Sequence, residues 1–212
     1  WGLAQALAPD ALVVVVNTGD DAEFHGLHVS PDLDTVMYTL AGIANEDTGW
    51  GIEGESFNSL EMLKRYDVPA WFGLGDRDLA THIERSRLLR QGISLSDVTE
   101  RLRRLLGVTA AIVPMSDQQV QTKVLTREGE LAFQDYFVRL RCEPRVEAFR
   151  FEGIESAEIS PGFRAALKSC SSVVFYPSNP FVSIGPILAL SGVKEALSAF
   201  SGPRIAVSVL RL

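Results

Sequence analysis

Cysteine is scarce in this sequence: Cys142 and Cys170 are the only two among 212 residues, and they stand far apart. Neither a disulfide framework nor a paired-cysteine zinc site finds support in that usage, so both are read as reduced thiols. Basic charge is in short supply too. The 20 Lys and Arg are outnumbered by 27 Asp and Glu, a net charge of −7, whereas a sequence-independent nucleic-acid binder needs a basic face to displace counterions. Long apolar runs are missing. Stretches such as Leu12–Val16 fall far short of the roughly 20 residues that a membrane-spanning helix requires. No basic segment followed by an apolar one and a small-residue cleavage site opens the chain, so export is not expected and the chain is assigned to the cytoplasm. There is no Gly-x-Ser-x-Gly elbow, no Walker loop and no complete Gly-x-Gly-x-x-Gly. A covalent serine mechanism and a dehydrogenase therefore lose their usual support.

What is present is a globular pattern, with 46% hydrophobic and 22% charged residues, in a length that suits one domain or one core with an insertion. Leu12–Val16 is a β-branched run of the kind buried on both faces of a parallel sheet. Ala110–Pro114, Ser172–Tyr176 and Arg204–Val209 repeat that texture, the last read as a buried strand. Helix starts follow. Ser30-Pro31-Asp32 places a cap, a first-turn proline and an acid before Leu33, Val36, Met37 and Leu40. Asp78 can cap a helix carrying Ile83 and Leu89, and Ser94 with Asp97 forms a capping box before Val98, Leu102 and Leu105. Ser160-Pro161 opens another helix, and Gly192–Phe200 forms one more. Lys123–Phe133 reads as a hairpin. Strands alternating with helices predict an α/β fold with a parallel-sheet core over 1–44 and 108–212, and a mainly helical insertion or subdomain over 45–107.

Open parallel sheets bind ligands beyond the carboxyl ends of their strands, and three polar clusters fall at such places. Asn17–Asp21 is followed by Asp32 and Asp34 in a first helical turn. Their carboxylates suit magnesium or a hydroxyl donor, or else simply cap the helix. In Gly73–His82, two glycines permit close backbone approach, Asp76 and Asp78 can hold a metal, and Arg77 can fork onto phosphate. The alternative is a cap at Asp78 and a salt bridge at Arg77. Ser178 and Asn179, after the strand ending at Tyr176, form either an anion-binding loop or a proline-stiffened turn. Ser116-Asp117 can orient a substrate or form a turn, and His25 with His28 has metal-pair spacing without a supporting motif.

Taken in order, Val15–Thr18, Ser30–Val36, Trp50–Ile52, Leu74–Asp78, Ala80–His82, Pro114–Asp117, Phe133–Asp135 and Pro177–Pro180 resemble the 2-phospho-L-lactate transferase family of coenzyme F-420 biosynthesis over essentially the whole chain. No single motif decides this; the ordered set does. The resemblance implies a Rossmann-like core and a magnesium-dependent transferase. A phospholactyl or phosphoenolpyruvyl group would pass from a guanosine diphosphate-linked donor to the terminal ribityl hydroxyl of the deazaflavin Fo, releasing GMP. It implies Asp34 as an Fo contact near the reacting hydroxyl and a metal ligand, and the loop around Gly73 as a second Fo contact. Asp76, Arg77, Asp78, Ser178 and Asn179 become metal, phosphate or substrate contacts. The expected partners are these small molecules, with neither nucleic acid nor membrane, and a homodimer is compatible. The family's opening glycine-rich loop, which would cradle donor phosphates, and its C-terminal region find no counterpart here, so an incomplete copy is expected. The runner-up is the related gluconeogenesis-factor family of nucleotide-sugar-binding regulators, which shares the architecture.

Overall fold

A computed structural model describes residues 1–8 and 10–207. A short helix, α1 (Gly2–Ala6), leads into strand β1 (Val13–Val16). The hairpin β2 (Ala22–Phe24) and β3 (Leu27–Val29) follows, turned by His25 and Gly26 at positive φ. Four helices come next: α2 (Pro31–Ala41), α3 (Asn58–Arg65), α4 (Asp78–Arg90) and α5 (Leu95–Leu105). Strand β4 (Ala111–Pro114) then returns beside β1, parallel to it and in register from Val13–Ala111 to Val16–Pro114.

The antiparallel sheet β6-β5-β7 comprises β5 (Gln121–Thr126), β6 (Gly129–Ala132) and β7 (Val146–Glu152). A π-helical turn at Asp135–Arg139 separates β6 from β7. Helix α6 (Pro161–Ser169), strand β8 (Val173–Phe175), a second π-turn at Pro180–Ile184, helices α7 (Gly185–Ala189) and α8 (Val193–Ala199), and strand β9 (Arg204–Ala206) complete the order. Strands β8 and β9 pair in parallel. The chain is thus α/β with parallel strands, as its alternating pattern predicts.

Alternation along β1 and β4 explains the layering, because successive side chains point to opposite faces. Val14, Val16 and Ile112 join Leu33, Met37, Tyr38, Leu88, Val98 and Leu102 in one apolar cluster under α2, α4 and α5. Val15 and Val113 join Met115, Val120, Phe163, Leu190 and Val193 in a second, under α6 and α8. Residues 45–107 supply α3, α4 and α5, and through Leu88, Leu95, Val98 and Leu102 share the first cluster with β1 and β4.

Several expectations shift. Strand β9 is exposed throughout rather than buried, with Ile205 at 49%, and residues 208 and 209 lie outside the described set. On α4, Ile83 is 54% exposed, and on α5 Leu105 is 71% exposed. The buried face of α4 is instead largely polar, consisting of Asp78, His82, Arg85 and Ser86 with Leu88. Among the described residues no single helix is long and apolar enough to cross a membrane, and the bent pair that ends in α8 contributes Val193 to the second cluster.

Candidate functional site

Two groups of buried and half-buried acids flank the first turns of α2 and α4, and their surroundings differ. The first begins where β1 ends. Asn17 turns its amide inward, so that Nδ2 donates to Asp20 Oδ1 at 2.9 Å, to Asp32 Oδ2 at 3.2 Å and to the Val182 carbonyl at 3.3 Å. Its Oδ1 accepts from Gly19 N at 2.8 Å, closing the loop on itself. One amide therefore gathers the β1 loop, the first turn of α2 and the turn after Asn179. Asn179 holds that turn by accepting from Phe181 N at 2.9 Å and Val182 N at 3.3 Å. Gln134, buried in the π-turn region, donates to the Asp20 carbonyl at 3.0 Å.

Burial pushes the Asp20 carboxyl well above its usual range, and the nearby Asp32 and Asp21 push it further. Burial also raises Asp32, with Asn17 and Asp21 acting in opposite directions on it. Burial raises Asp21 against the opposing bonds from His28 and Ser30. Ser30 was expected to cap α2. Its hydroxyl donates to Asp21 Oδ2 at 2.8 Å instead, and His28 Nε2 lies 3.0 Å from the same oxygen. The other Asp21 oxygen and the Thr18 hydroxyl are buried without any hydrogen-bond partner. Like charges confined together with orphaned oxygens call for a cation or a proton-bearing ligand.

The second group lies between α2 and α4. Arg85, 1% exposed, forks onto Asp34: Nη1 donates to Oδ2 at 2.9 Å and Nη2 donates to Oδ1. His82 stands between two carboxylates, with Nδ1 3.7 Å from Asp34 Oδ2 and Nε2 3.1 Å from Asp78 Oδ2. The second contact is an ion-pair approach, and Nε2 makes no hydrogen bond. Tyr38 donates to Asp78 Oδ1 at 2.7 Å, and its oxygen is also 2.7 Å from the Thr81 hydroxyl. Burial works to raise Asp78, but the adjacent His82, the bond from Tyr38 and the field of Arg85 together hold it below its usual value. Burial, Asp34 and Asp78 push the Tyr38 hydroxyl far up, so it stays a proton donor. Asp34, Asp78 and His82 bring donor atoms within 4.8 Å of one another. A divalent ion there would nevertheless face the Arg85 guanidinium already seated on Asp34, so this trio is better satisfied as an ion-pair network.

The structure brings Asp34 and Asp78 together but places Asp76 elsewhere. Asp76 accepts from Ser56 Oγ at 2.7 Å, from Asn58 N and Nδ2 at 2.9 Å each and from Ser59 N at 3.0 Å, which caps α3. Those bonds, the Ser56 hydroxyl foremost, hold its carboxyl well below the usual range. Arg77 is spent on the Glu53 carbonyl at 2.7 Å. Asp78 caps nothing; Glu55 does, accepting from Arg77 N and Asp78 N at 2.8 Å each. A Cβ on Gly75 would lie 2.2 Å from Glu55 Cδ, and one on Gly73 2.9 Å from Trp50 Cη2. Protein side chains therefore use the room that these glycines leave. Ser178 and Asn179 are exposed, and only Asn179 reaches the first group, through its turn.

Sequence reasoning quoted His82 and Gln134 within motifs without giving either a role, and it missed Arg85. The spacing of Asp78, His82 and Arg85 at i, i+4 and i+7 could have revealed one helical face. Next to the Gly73 loop, Phe24 stacks on Phe72 at 4.1 Å, Trp71 meets Phe24 edge-on at 5.4 Å, and Arg139 lies over the Trp71 ring at 5.8 Å. Asp117 accepts from Ser96 N at 2.7 Å at the start of α5.

Residues 2–210 match the model of the family described as 2-phospho-L-lactate transferase CofD. The chain is 48% identical over 213 positions to a phosphoenolpyruvate transferase of Streptomyces griseus, covering 98% of this chain and 67% of that protein. It is 42% identical over 196 positions to a 2-phospho-L-lactate transferase of Methanosarcina mazei, covering 92% and 65%. It therefore spans about two thirds of the length of these relatives. A solved structure of a UPF0052 family member from Bacillus halodurans shares the fold, with a TM-score of 0.62 at 13% identity over 94% of this chain and 61% of that one.

Proposed function

The chain belongs to the 2-phospho-L-lactate transferase CofD family, and from that premise we propose that it serves a transfer of a phospholactyl or phosphoenolpyruvyl group. The donor is a guanosine diphosphate-linked phospho-acid, the acceptor is the ribityl hydroxyl of the deazaflavin Fo, and GMP leaves. The observation that carries this reading is the under-partnered acid group at the end of β1. Asp20 and Asp32 share one amide donor, and among the described residues no cation pairs with either. Hard oxygen donors of this kind suit magnesium. Asp20 and Asp32 are the residues that would hold it, and its chemistry there is to neutralise charge on phosphate oxygens.

The chain's own residues then position the reactants. Asn17 keeps the two carboxylates at one place, and Gln134 fixes the Asp20 backbone. Asp34, held by Arg85, is a positioning residue that sets the first turn of α2 and so the place of Asp32. The ring of Fo suits the aromatic group of Phe24, Trp71 and Phe72 beside Gly73, because flat π-systems stack on such surfaces. Displacement at phosphorus by a bound hydroxyl requires positioning and charge neutralisation, with no covalent enzyme intermediate.

The test is a titration of the chain with Fo in the presence of magnesium, followed by deazaflavin fluorescence. Magnesium-dependent binding by the parent, lost in a folded Asp32→Asn variant, is the expected result. A folded parent that leaves the fluorescence unchanged would contradict the reading.

A further inference from the structure

The outer surface of α4 and α5 takes no part in the site described above. Ile83, Arg87 and Arg90 stand on one exposed stripe of α4, and Arg101, Arg104 and Leu105 on one exposed stripe of α5, each at the spacing of a single helical face. Residues 91–94 join the two helices, and Arg101 Nε lies 3.8 Å from Glu84 Oε1, so the stripes run side by side. The Asp34 network uses the opposite, buried face of α4, that of His82 and Arg85.

The charge of this surface runs against the rest of the chain, whose net charge is −7. Leaving aside the buried Arg85, the stretch from Ile83 to Leu106 carries Arg87, Arg90, Arg101, Arg103 and Arg104 against Glu84, Asp97 and Glu100. Arg87 Nε and Nη2 donate to the two Glu84 oxygens at 2.8 Å each, and Arg101 approaches the same carboxylate. Arg103 Nε and Nη2 donate to the two Glu100 oxygens at 2.6 and 2.8 Å, and Arg104 pairs with that carboxylate as well. Two carboxylates thus hold four guanidiniums, which fixes a surplus of positive charge in place. The Arg87, Arg101 and Arg104 side chains remain 48%, 59% and 72% exposed.

The choice of cation points to the kind of partner. No lysine occurs between Lys64 and Lys123, whereas a solvated helix face or one that meets an anionic bilayer accepts lysine as readily as arginine. Protein interfaces favour arginine and disfavour lysine, because the flat, weakly hydrated guanidinium forks onto carboxylates. Ile83 at 54% and Leu105 at 71% exposure supply the apolar centre that such interfaces have. Glu84 and Glu100 restrain the arginines before any contact is made, which lowers the cost of ordering them.

We propose that the outer surface of α4 and α5 docks a protein partner with an acidic surface, whose carboxylates meet Arg87, Arg101 and Arg104 around the apolar Ile83 and Leu105. The proposal goes beyond the transferase reading and does not depend on it. Labelled poly-L-glutamate serves as the probe, titrated with the chain and followed by fluorescence anisotropy. Binding should be measurable despite the net charge of −7, and should weaken as salt rises from about 0.05 to 0.15 M. The triple variant Arg87→Gln, Arg101→Gln, Arg104→Gln should bind about tenfold or more weakly. Arg127→Gln, Arg141→Gln, Arg145→Gln removes the same charge from other exposed positions and should change binding by no more than about twofold. Circular dichroism should be unchanged in both. No binding by the folded parent, an equal loss in the two triple variants, or tighter binding of phosphatidylglycerol vesicles than of poly-L-glutamate would overturn the proposal. A parent that binds poly-L-glutamate as described but leaves Fo fluorescence unchanged would remove the transferase reading and keep this one.

Discussion

The acids at the end of β1 and the acids between α2 and α4 are both largely withdrawn from solvent, yet only in the second set does every carboxylate oxygen have a bond or ion-pair partner, although His82 Nε2 and Arg85 Nε there make no hydrogen bond. Asp34 has a guanidinium across both oxygens, and Asp78 has a phenol and an imidazole beside it. Asp20 and Asp32 share a single amide, and Asp21 keeps one oxygen without any bond. A buried ion pair whose groups are matched holds elements in place, while an unmatched set of like charges is retained at a cost to stability. The contrast separates scaffold from site more sharply than acidity or burial alone, since both groups have those.

Breaking the matched group should have the largest effect. Arg85→Met leaves Asp34 buried without its counter-ion and should destabilise the fold by about 3–5 kcal/mol in chemical denaturation. Asp20→Asn keeps an acceptor for Asn17 while removing one of the crowded charges. It should stabilise the fold by about 1 kcal/mol and at the same time remove any stabilisation by magnesium. A smaller loss, about 1 kcal/mol, is expected for Gly75→Ala, because the new Cβ displaces Glu55 from the start of α4.

The pH dependence sharpens the same comparison. Asp20, Asp21 and Asp32 have raised values in the folded state, so the fold binds their protons more tightly than the unfolded chain does. Stability should rise as pH falls from neutral through those raised values toward the ordinary aspartate value of about 4. Asp78 has a lowered value, so its contribution is present above about 4 and is lost as pH falls further. Thermal melts across this range should show a mildly acidic optimum in the parent and a flatter approach to it in Asp20→Asn.

Much of the framework was legible from pattern. The Val13–Val16 strand, the partner at Ala111–Pro114 and the capping box at Ser94 each follow from a local rule that tertiary contacts did not override. Ser94 Oγ does accept from Asp97 N, at 3.1 Å. Helix α4 shows where such rules stop. Apolar periodicity points to the face of Ile83, but the core takes the face of His82 and Arg85, each 1% exposed, because Asp34 offers them a partner from another element. The site was partly legible for the same reason. Asn17–Asp21 and Asp32 stand out by residue type, but which acids pair with a cation depends on distances between segments that sequence spacing does not carry. Asp76 resembled a ligand until Ser56, Asn58 and Ser59 were found around it.

The central claim is that the unmatched acids at the end of β1 form the cation and substrate site while the Arg85 network is scaffold. Its most direct test is the melting temperature of the parent and of Asp20→Asn, each with and without magnesium. The account predicts that magnesium raises the melting temperature of the parent, and that the variant starts higher and does not respond. A variant that responds to magnesium as the parent does would contradict it.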